Sequence, residues 1–411
     1  MAKLRPFKAL RPVRDKAHLI ASLPHYAYKR NVLKAILEVN PYIFLNIIHP
    51  EFKSKVKTEA NSTERFLQIK EKYVEFRESD HLIKDTEDSI YLYRQTKGDR
   101  VFLGVIGGAS VQEYKEDSIK KHEATLTSRE AMFTNYLDIV GYNAEPVLLS
   151  YSGNKQINSV MHKKITERPE YEFTTTDLNK HELWILNPDE TKKMVKAFEL
   201  VDATYIADGH HRSASSAGLR QLRTDRKEQH FPNEDYFLGF FIEETAIQIL
   251  EFNRLVKTMN DHSHAELLDL LKMHFHIKPL NRSKKPTKEH EICMCLESKW
   301  YMLSCKDAIV DVTHPVKSLD AEILTNYVLD PILGIKDLKS DENIDFISGN
   351  YPVREISKRI RKGDFKIGFI LFPVSIDEVK RVADNQMIMP PKSTWVEPKL
   401  RSGLTIYNLN E

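Results

Sequence analysis

The sequence predicts a mixed α/β (α+β) protein of two domains, and three observations predict it. Stretches with helical apolar spacing alternate along the whole chain with short apolar or alternating runs that read as strands. At 411 residues the chain exceeds what one compact core usually organises. There is no internal repeat and no low-complexity tract to suggest a solenoid or a disordered arm.

The elements follow in order. "KLRPFKALRP" is extended and bounded by proline, and "KRNVLKAILEV" (29–39) and "TERFLQIKEKYVEFRES" (63–79) are amphipathic helices. "SIYLYRQ" (89–95) and "VFLGVIGGASV" (101–111) are strands joined by a turn at "TKGDR". Residues 118–141 return to helical spacing, and 145–152 and 181–186 are strands. Residues 188–200 form a helix, and 203–209 a strand that feeds the helix after "HHR". Strands at 237–244 and 246–256 are expected to pair. Beyond them come helices at "HAELLDLLKMHF", 319–334, 354–363 and 375–386, the last starting at a Ser cap, with a buried strand at 365–374. The domain division is placed at 1–258 and 259–411, and the C-terminal "PPKSTW" loop is expected to return to the cleft of the first domain.

Lys plus Arg (61) nearly balances Asp plus Glu (59), so no global field draws in nucleic acid or anionic membrane. The longest apolar runs fall far short of a membrane span of roughly 20 residues, and the start lacks the apolar stretch of a signal peptide. Three cysteines, Cys293, Cys295 and Cys305, give no disulfide framework. The C-x-C pair reads as one face of a strand rather than a metal site. A soluble protein of the cell interior is expected, in the cytoplasm.

The chemistry concentrates at "TYIADGHHRSASSAGL" (204–219). Asp208 and Gly209 turn a strand into a helix whose first turn carries His210, His211 and Arg212. Free N–H groups and the helix dipole favour an anion there, and a guanidinium adds bidentate phosphate geometry. Asp208 is also placed to cap the helix, and the small residues that follow let it lie close to a sheet or ligand. Adjacent histidines point about 100° apart on a helix, so His210 and His211 do not share one metal ion. Neither G-x-x-x-x-G-K-[ST] nor G-x-G-x-x-G is present.

A second cluster, "IKKHEAT", holds Lys120, Lys121, His122, Glu123 and Thr125. A glutamate beside a histidine suits a general base on a hydroxyl, and a lysine offsets charge on a transferring group; a plain charged helix face has the same composition. "HEATL" is not H-E-x-x-H, which excludes zinc-protease chemistry. A third, "MPPKSTWVEPKLRSGL" (389–404), offers Lys392, Ser393, Thr394, Trp395, Lys399 and Ser402 on a stretch too rich in proline for a helix.

Together these stretches resemble the domain-of-unknown-function family 1015, nearly end to end. The likeness runs through "RPFKALRP", "IKKHE", "HELWIL", "YIADGHHR", "FNRLV", "LGI" and "MPPKSTWVEPKLRSGL". It implies a cytosolic bacterial or archaeal protein. Where the family reads P-Y-D-V, this chain reads Pro24-His25-Tyr26-Ala27, which puts any role of that acid in doubt. The "DGHHR" turn is similar to the phosphate-binding turn of the ParB and sulfiredoxin superfamily, free-serine kinases above all. That likeness implies a ParB/sulfiredoxin-like strand–turn–helix core with a second, smaller α/β domain. The expected function is that of a soluble phosphotransferase or phosphohydrolase acting on a small hydroxylated metabolite; the likeness implies as its sharp version a free-serine-kinase-like reaction with ATP or ADP as substrate and Mg²⁺ as cofactor.

The expected roles follow. Gly209, His210, His211, Arg212, Lys121, Ser393, Thr394 and Lys399 hold phosphate or nucleotide. Asp208 binds Mg²⁺ or the acceptor hydroxyl. Glu123, beside His122, is the base by its chemistry and not by motif, and Lys392 offsets developing charge. Glu123, His211 and Lys392 are expected to converge on one cleft. A nucleotide-binding regulator without turnover is the alternative, with small molecules rather than membrane or nucleic acid as partners in either case.

Overall fold

A computed structural model describes residues 2–52 and 58–411. The chain is mixed α/β, and divides into two compact units. The first comprises residues 1–121, 125–247 and 398–411, and the second 122–124 and 248–397. The main division falls at Ile247/Gln248, ahead of residue 258, because Gln248–Val256 is a strand of the second unit's sheet.

The first unit is built on a nine-stranded mixed sheet. Its order is Ile119–Lys120, Thr204–Asp208, Val147–Tyr151, Tyr236–Glu243, Arg100–Ser110, Tyr91–Lys97, Asn179–Ile185 and Tyr171–Thr174, with Leu4–Arg5 added beside Arg100–Ser110. Val147–Tyr151 is buried along its whole length and reads as a mostly apolar run for that reason, with Ser150 its one polar residue. Trp184, Phe198, Phe237 and Phe241 form part of the main core with Ile206 and Ala217. Each large apolar side chain buried in this way contributes roughly 1.5–3 kcal/mol. A second cluster, including Phe44, Phe66, Tyr73 and Tyr142, packs the helices Leu45–Ile48, Thr63–Glu78 and Thr127–Val140 together.

The second unit is a seven-stranded antiparallel sheet in the order Phe275–Leu280, Lys299–Cys305, Glu291–Leu296, Ile367–Ile370, Gln248–Val256 and Ile344–Ser348. Thr394–Glu397 extends it by pairing with the first half of Gln248–Val256. Cys293 and Cys295 lie in one buried cluster with Leu255, Ile356 and Ile360, as their spacing on a strand requires. Ser375 caps Ile376–Asp384 and Ser263 caps His264–Leu271, each through a complete capping box.

Three readings of local pattern are corrected. Residues 118–141 are not one helix: Ile119–Lys120 is a short strand drawn into parallel pairing with Thr204–Tyr205, and the helix begins at Thr127. Tyr236–Glu243 and Gln248–Val256 are strands but do not pair with each other. The 3-10 turn at Glu244–Ala246 separates them, and they join different sheets. The expected helix over 319–334 is α-helical only at Asp320–Leu324 and widens to a π-turn at Thr325–Leu329.

Candidate functional site

The Asp208–Gly209 turn lies between the Thr204–Asp208 strand and the His210–Asp225 helix, as the sequence indicates. Gly209 occupies the cap position at φ +110°, a conformation that L side chains rarely adopt. A Cβ there would stand 3.0 Å from Nε of Arg212, so the turn needs glycine on both counts. No side chain caps the helix, which corrects the expectation for Asp208.

Asp208 is directed elsewhere by a register shift. Pairing with Val147–Tyr151 runs Tyr205 to Ser150 and Ile206 to Leu149, then slips so that Asp208 meets Leu148. Such a bulge re-aims the side chain that follows it. Because the two strands are antiparallel, the residues leading into Val147–Tyr151 lie beside the end of Thr204–Asp208, and this brings Glu145 to the turn.

Arg212 joins the two acids. Its Nη1 lies 2.8 Å from Oε1 of Glu145 and donates to the Pro146 carbonyl at 2.5 Å, while Nη2 lies 3.2 Å from Oδ2 of Asp208. Lys399, from the C-terminal segment, reaches Oδ2 of Asp208 at 3.6 Å. Two acids and two bases therefore balance. The guanidinium fork expected to meet a phosphate is occupied by the protein's own oxygens.

The two carboxyls are pushed apart. Burial alone would raise Asp208, but Lys399 and Arg212 reverse this and hold it below the usual carboxylate range. Burial keeps Glu145 above its usual range, with Arg212 opposing the shift and Asp208 adding to it. Divergent carboxyls in one place are the arrangement that acid–base chemistry uses.

Beside this cluster the first unit holds a cavity of about 440 Å³. Phe44, Phe66, Phe133 and Tyr136 wall it, and Glu145, Arg212, Ser215, Ser216 and Ser402 supply polar groups. Ser213 to Ala217 are all buried, and a Cβ at Gly218 would approach Oγ1 of Thr134 to 2.5 Å, so the small residues let Thr127–Val140 close on the helix. His25 also lines the cavity, with its ring 4.7 Å from that of His49. Burial first, and then His49, lower its pKa. Tyr26, which stands where the family pattern carries an acid, is exposed.

The remaining candidates are distributed as follows. His210 is buried, and the His211 ring lies 6.4 Å from Phe133. Lys121 donates to the Tyr114 carbonyl at 3.1 Å and pairs with Asp117 at 3.6 Å. These belong to the first unit. His122, Glu123, Lys392, Ser393 and Thr394 belong to the second. There His122 is buried and its carbonyl accepts from the Met389 amide, and Glu123 is exposed. Ser393 donates to the Pro390 carbonyl, and Thr394 opens a strand.

Among the described residues no group of three or more His, Cys, Asp or Glu could hold a metal ion. Asp208, set between two cations, does not fit a protein-held Mg²⁺. Sequence reasoning missed Glu145. Its only signal is an acid set before a proline and a mostly apolar strand, and the antiparallel pairing that makes it matter is not visible in the sequence.

No curated protein matches the chain. Among solved structures it is similar to a free serine kinase in complex with AMP, at 14% identity and TM-score 0.37, over 74% of this chain and 91% of that one. It is also similar to C-terminally truncated SbnI from Staphylococcus aureus, at 12% identity and TM-score 0.39 over 74% and 87%, and to a conserved hypothetical protein from Pyrococcus furiosus, at 14% and 0.35 over 74% and 94%. Among the described residues no helix is long and apolar enough to cross a membrane. The model of the protein family of unknown function DUF1015 matches residues 4–322, and the chain belongs to that family.

Proposed function

We propose that this protein is a phosphotransferase acting on a small hydroxylated metabolite, with ATP or ADP as donor, and that its first unit carries the phosphate site. One observation carries the reading: a bulged strand, a left-handed glycine and an uncapped sixteen-residue helix stand next to two carboxyls of divergent acidity and a cavity of metabolite size. Backbone amides and the dipole at such a helix start favour a phosphate. The likeness of the turn to ParB and sulfiredoxin-type phosphate turns supports the same reading.

In this reading the first-turn amides and His211 hold phosphate, and Arg212 positions the turn by bridging Asp208 and Glu145. The acceptor hydroxyl gives its proton to a carboxylate as its oxygen bonds to phosphorus and the donor's terminal P–O bond breaks. Glu145 is a candidate for that carboxylate.

Purified protein with ATP or ADP, Mg²⁺ and a panel of hydroxy amino acids, read by phosphorus NMR, tests it. Formation of a phosphorylated acceptor supports the reading, and no product from any pair overturns it. Loss of a general base lowers turnover by about 10²–10⁴-fold, so Glu145→Gln in that assay tests its part as the base.

A nucleotide-binding regulator without turnover is the second reading. It is favoured by the closed charge balance of Asp208, Glu145, Arg212 and Lys399, which leaves neither acid without a cation beside it. Calorimetry separates the two: the regulator binds nucleotide tightly and returns it unchanged.

A further inference from the structure

The second unit contains a charge that its own fold leaves unanswered. Arg254, in the Gln248–Val256 strand, is fully buried. Its Nη1 donates to the carbonyl of Phe252 on the same strand, and among the described residues its Nε and Nη2 have no hydrogen-bond partner. The guanidinium lies 5.5 Å from the centre of the Phe346 ring. An aromatic face returns only part of what a guanidinium loses on leaving water, and buried charges are ordinarily paired. Burial is the cause that lowers this group to about 9, with no carboxylate working against it. An apolar side chain of similar size would fit the site at lower cost, so its role is to be sought in what binds there.

The surroundings point to the missing partner. Across the strand pair Phe252 faces Ser348 and Arg254 faces Phe346, so these four side chains share one face of the sheet. Lys392 Nζ stands 5.4 Å from the centre of the Phe252 ring. Lys392 is exposed, and Phe252 and Phe346 are half-buried. Lys392 also takes a left-handed φ of +56°. A second, exposed cation thus stands beside the ring of the residue whose backbone carbonyl accepts from the buried guanidinium.

We propose that Arg254 and Lys392 form an anion-binding site within the second unit, for a ligand bearing a phosphate or carboxylate group. The exposed ammonium attracts the anion, and the guanidinium, once Phe252 gives way, meets it with a planar pair of donors. The proposal does not depend on the reading of the Asp208–Gly209 turn, which uses other residues of the other unit.

The test uses the full chain with ¹⁵N-labelled arginine. The Nε–H resonance of Arg254, assigned by its disappearance in Arg254→Lys, is followed as inorganic phosphate or acetate replaces chloride at constant ionic strength. A saturable shift with either anion is expected, and the two arms show whether phosphate or carboxylate is preferred. Thermal unfolding gives an independent reading. Arg254→Met should melt above the native protein in chloride, and should lose the rise of about 2 °C that a saturating anion gives the native protein. Should Arg254→Met fail to fold, Lys392→Met, at an exposed position, should weaken the resonance shift severalfold.

A resonance that ignores both anions overturns the site. So does an Arg254→Met protein that melts lower than native in chloride while keeping the full anion response. Phosphate held at the turn of the first unit would also raise the melting point, so the thermal series is repeated in Gly209→Ala. A response lost there but kept in Arg254→Met assigns the anion to the turn alone. Absence of phosphoryl transfer with an intact Arg254 shift removes only the proposed reaction.

Discussion

Glu145 and Arg212 form a 2.8 Å ion pair that joins the start of one strand to the first turn of a helix, and Asp208 closes the group from the other side at 3.2 Å. Both members of the Glu145–Arg212 pair are more than two-thirds buried. Removing the cation leaves two acids facing each other, and breaking a pair in this way costs more than the pair contributes when intact.

Arg212→Ala should therefore destabilise the protein by about 2 kcal/mol, a value kept below that of a fully buried pair because solvent reaches both groups. The loss should depend on pH. Without the cation Glu145 is raised further, and a carboxyl raised in the folded state penalises folding above its unfolded pKa. The penalty is thus small near pH 4 and grows as pH rises through the folded value. Urea unfolding at acidic and at mildly alkaline pH checks this, and equal losses at both would contradict it. Arg212→Lys should not restore stability, since an ammonium cannot span both acids and the Pro146 carbonyl.

Gly209→Ala should lower stability by about 1–3 kcal/mol, the range for a non-glycine residue held in a sparsely populated conformation. It should also displace Arg212, whose Nε and Nη2 lie 3.0 Å from the added methyl. Nucleotide binding measured by calorimetry should fall at least tenfold. Native affinity in this variant would show that the turn does not hold phosphate.

His181 should make stability fall with acid. It is fully buried, with Nδ1 2.8 Å from the Tyr93 hydroxyl. Burial, reinforced by the Arg401 charge, lowers its pKa to about 3. The folded protein keeps the ring neutral while the unfolded chain takes up a proton near pH 6.5, so stability is complete above that value and declines below it. Between pH 7 and 5 the histidine should remove about 2 kcal/mol. His181→Gln should flatten that part of the stability–pH curve, and an unchanged slope would exclude His181 as its source.

All three cysteines should resist thiol reagents in the native state. Burial raises Cys295 to about 11 and Cys305 to about 12, and raises Cys293 in the same direction. The thiolate is the reactive form, so labelling at pH 8 should be slow until denaturant is added. Rapid labelling of Cys293 or Cys295 would show that the second unit opens easily.

The sequence by itself determined the class of fold, most elements and the turn. Helical spacing over 63–79 and 188–200 and the strand pattern within 145–152 are local signals, because each depends only on which side chains recur at which interval. Gly209 was legible for a similar reason, since few other residues take up so sharp a strand-to-helix turn. Only the tertiary structure decided that Ile119–Lys120 pairs as a strand, that Tyr236–Glu243 and Gln248–Val256 part into different sheets, and that Glu145 meets Arg212. It also decided that Arg212 answers two acids and that Arg254 is buried without one. Strand partners are chosen by hydrogen bonds between segments far apart in the chain, and a side chain's charge environment is set by what that pairing brings beside it. Neither leaves a periodic trace in the sequence.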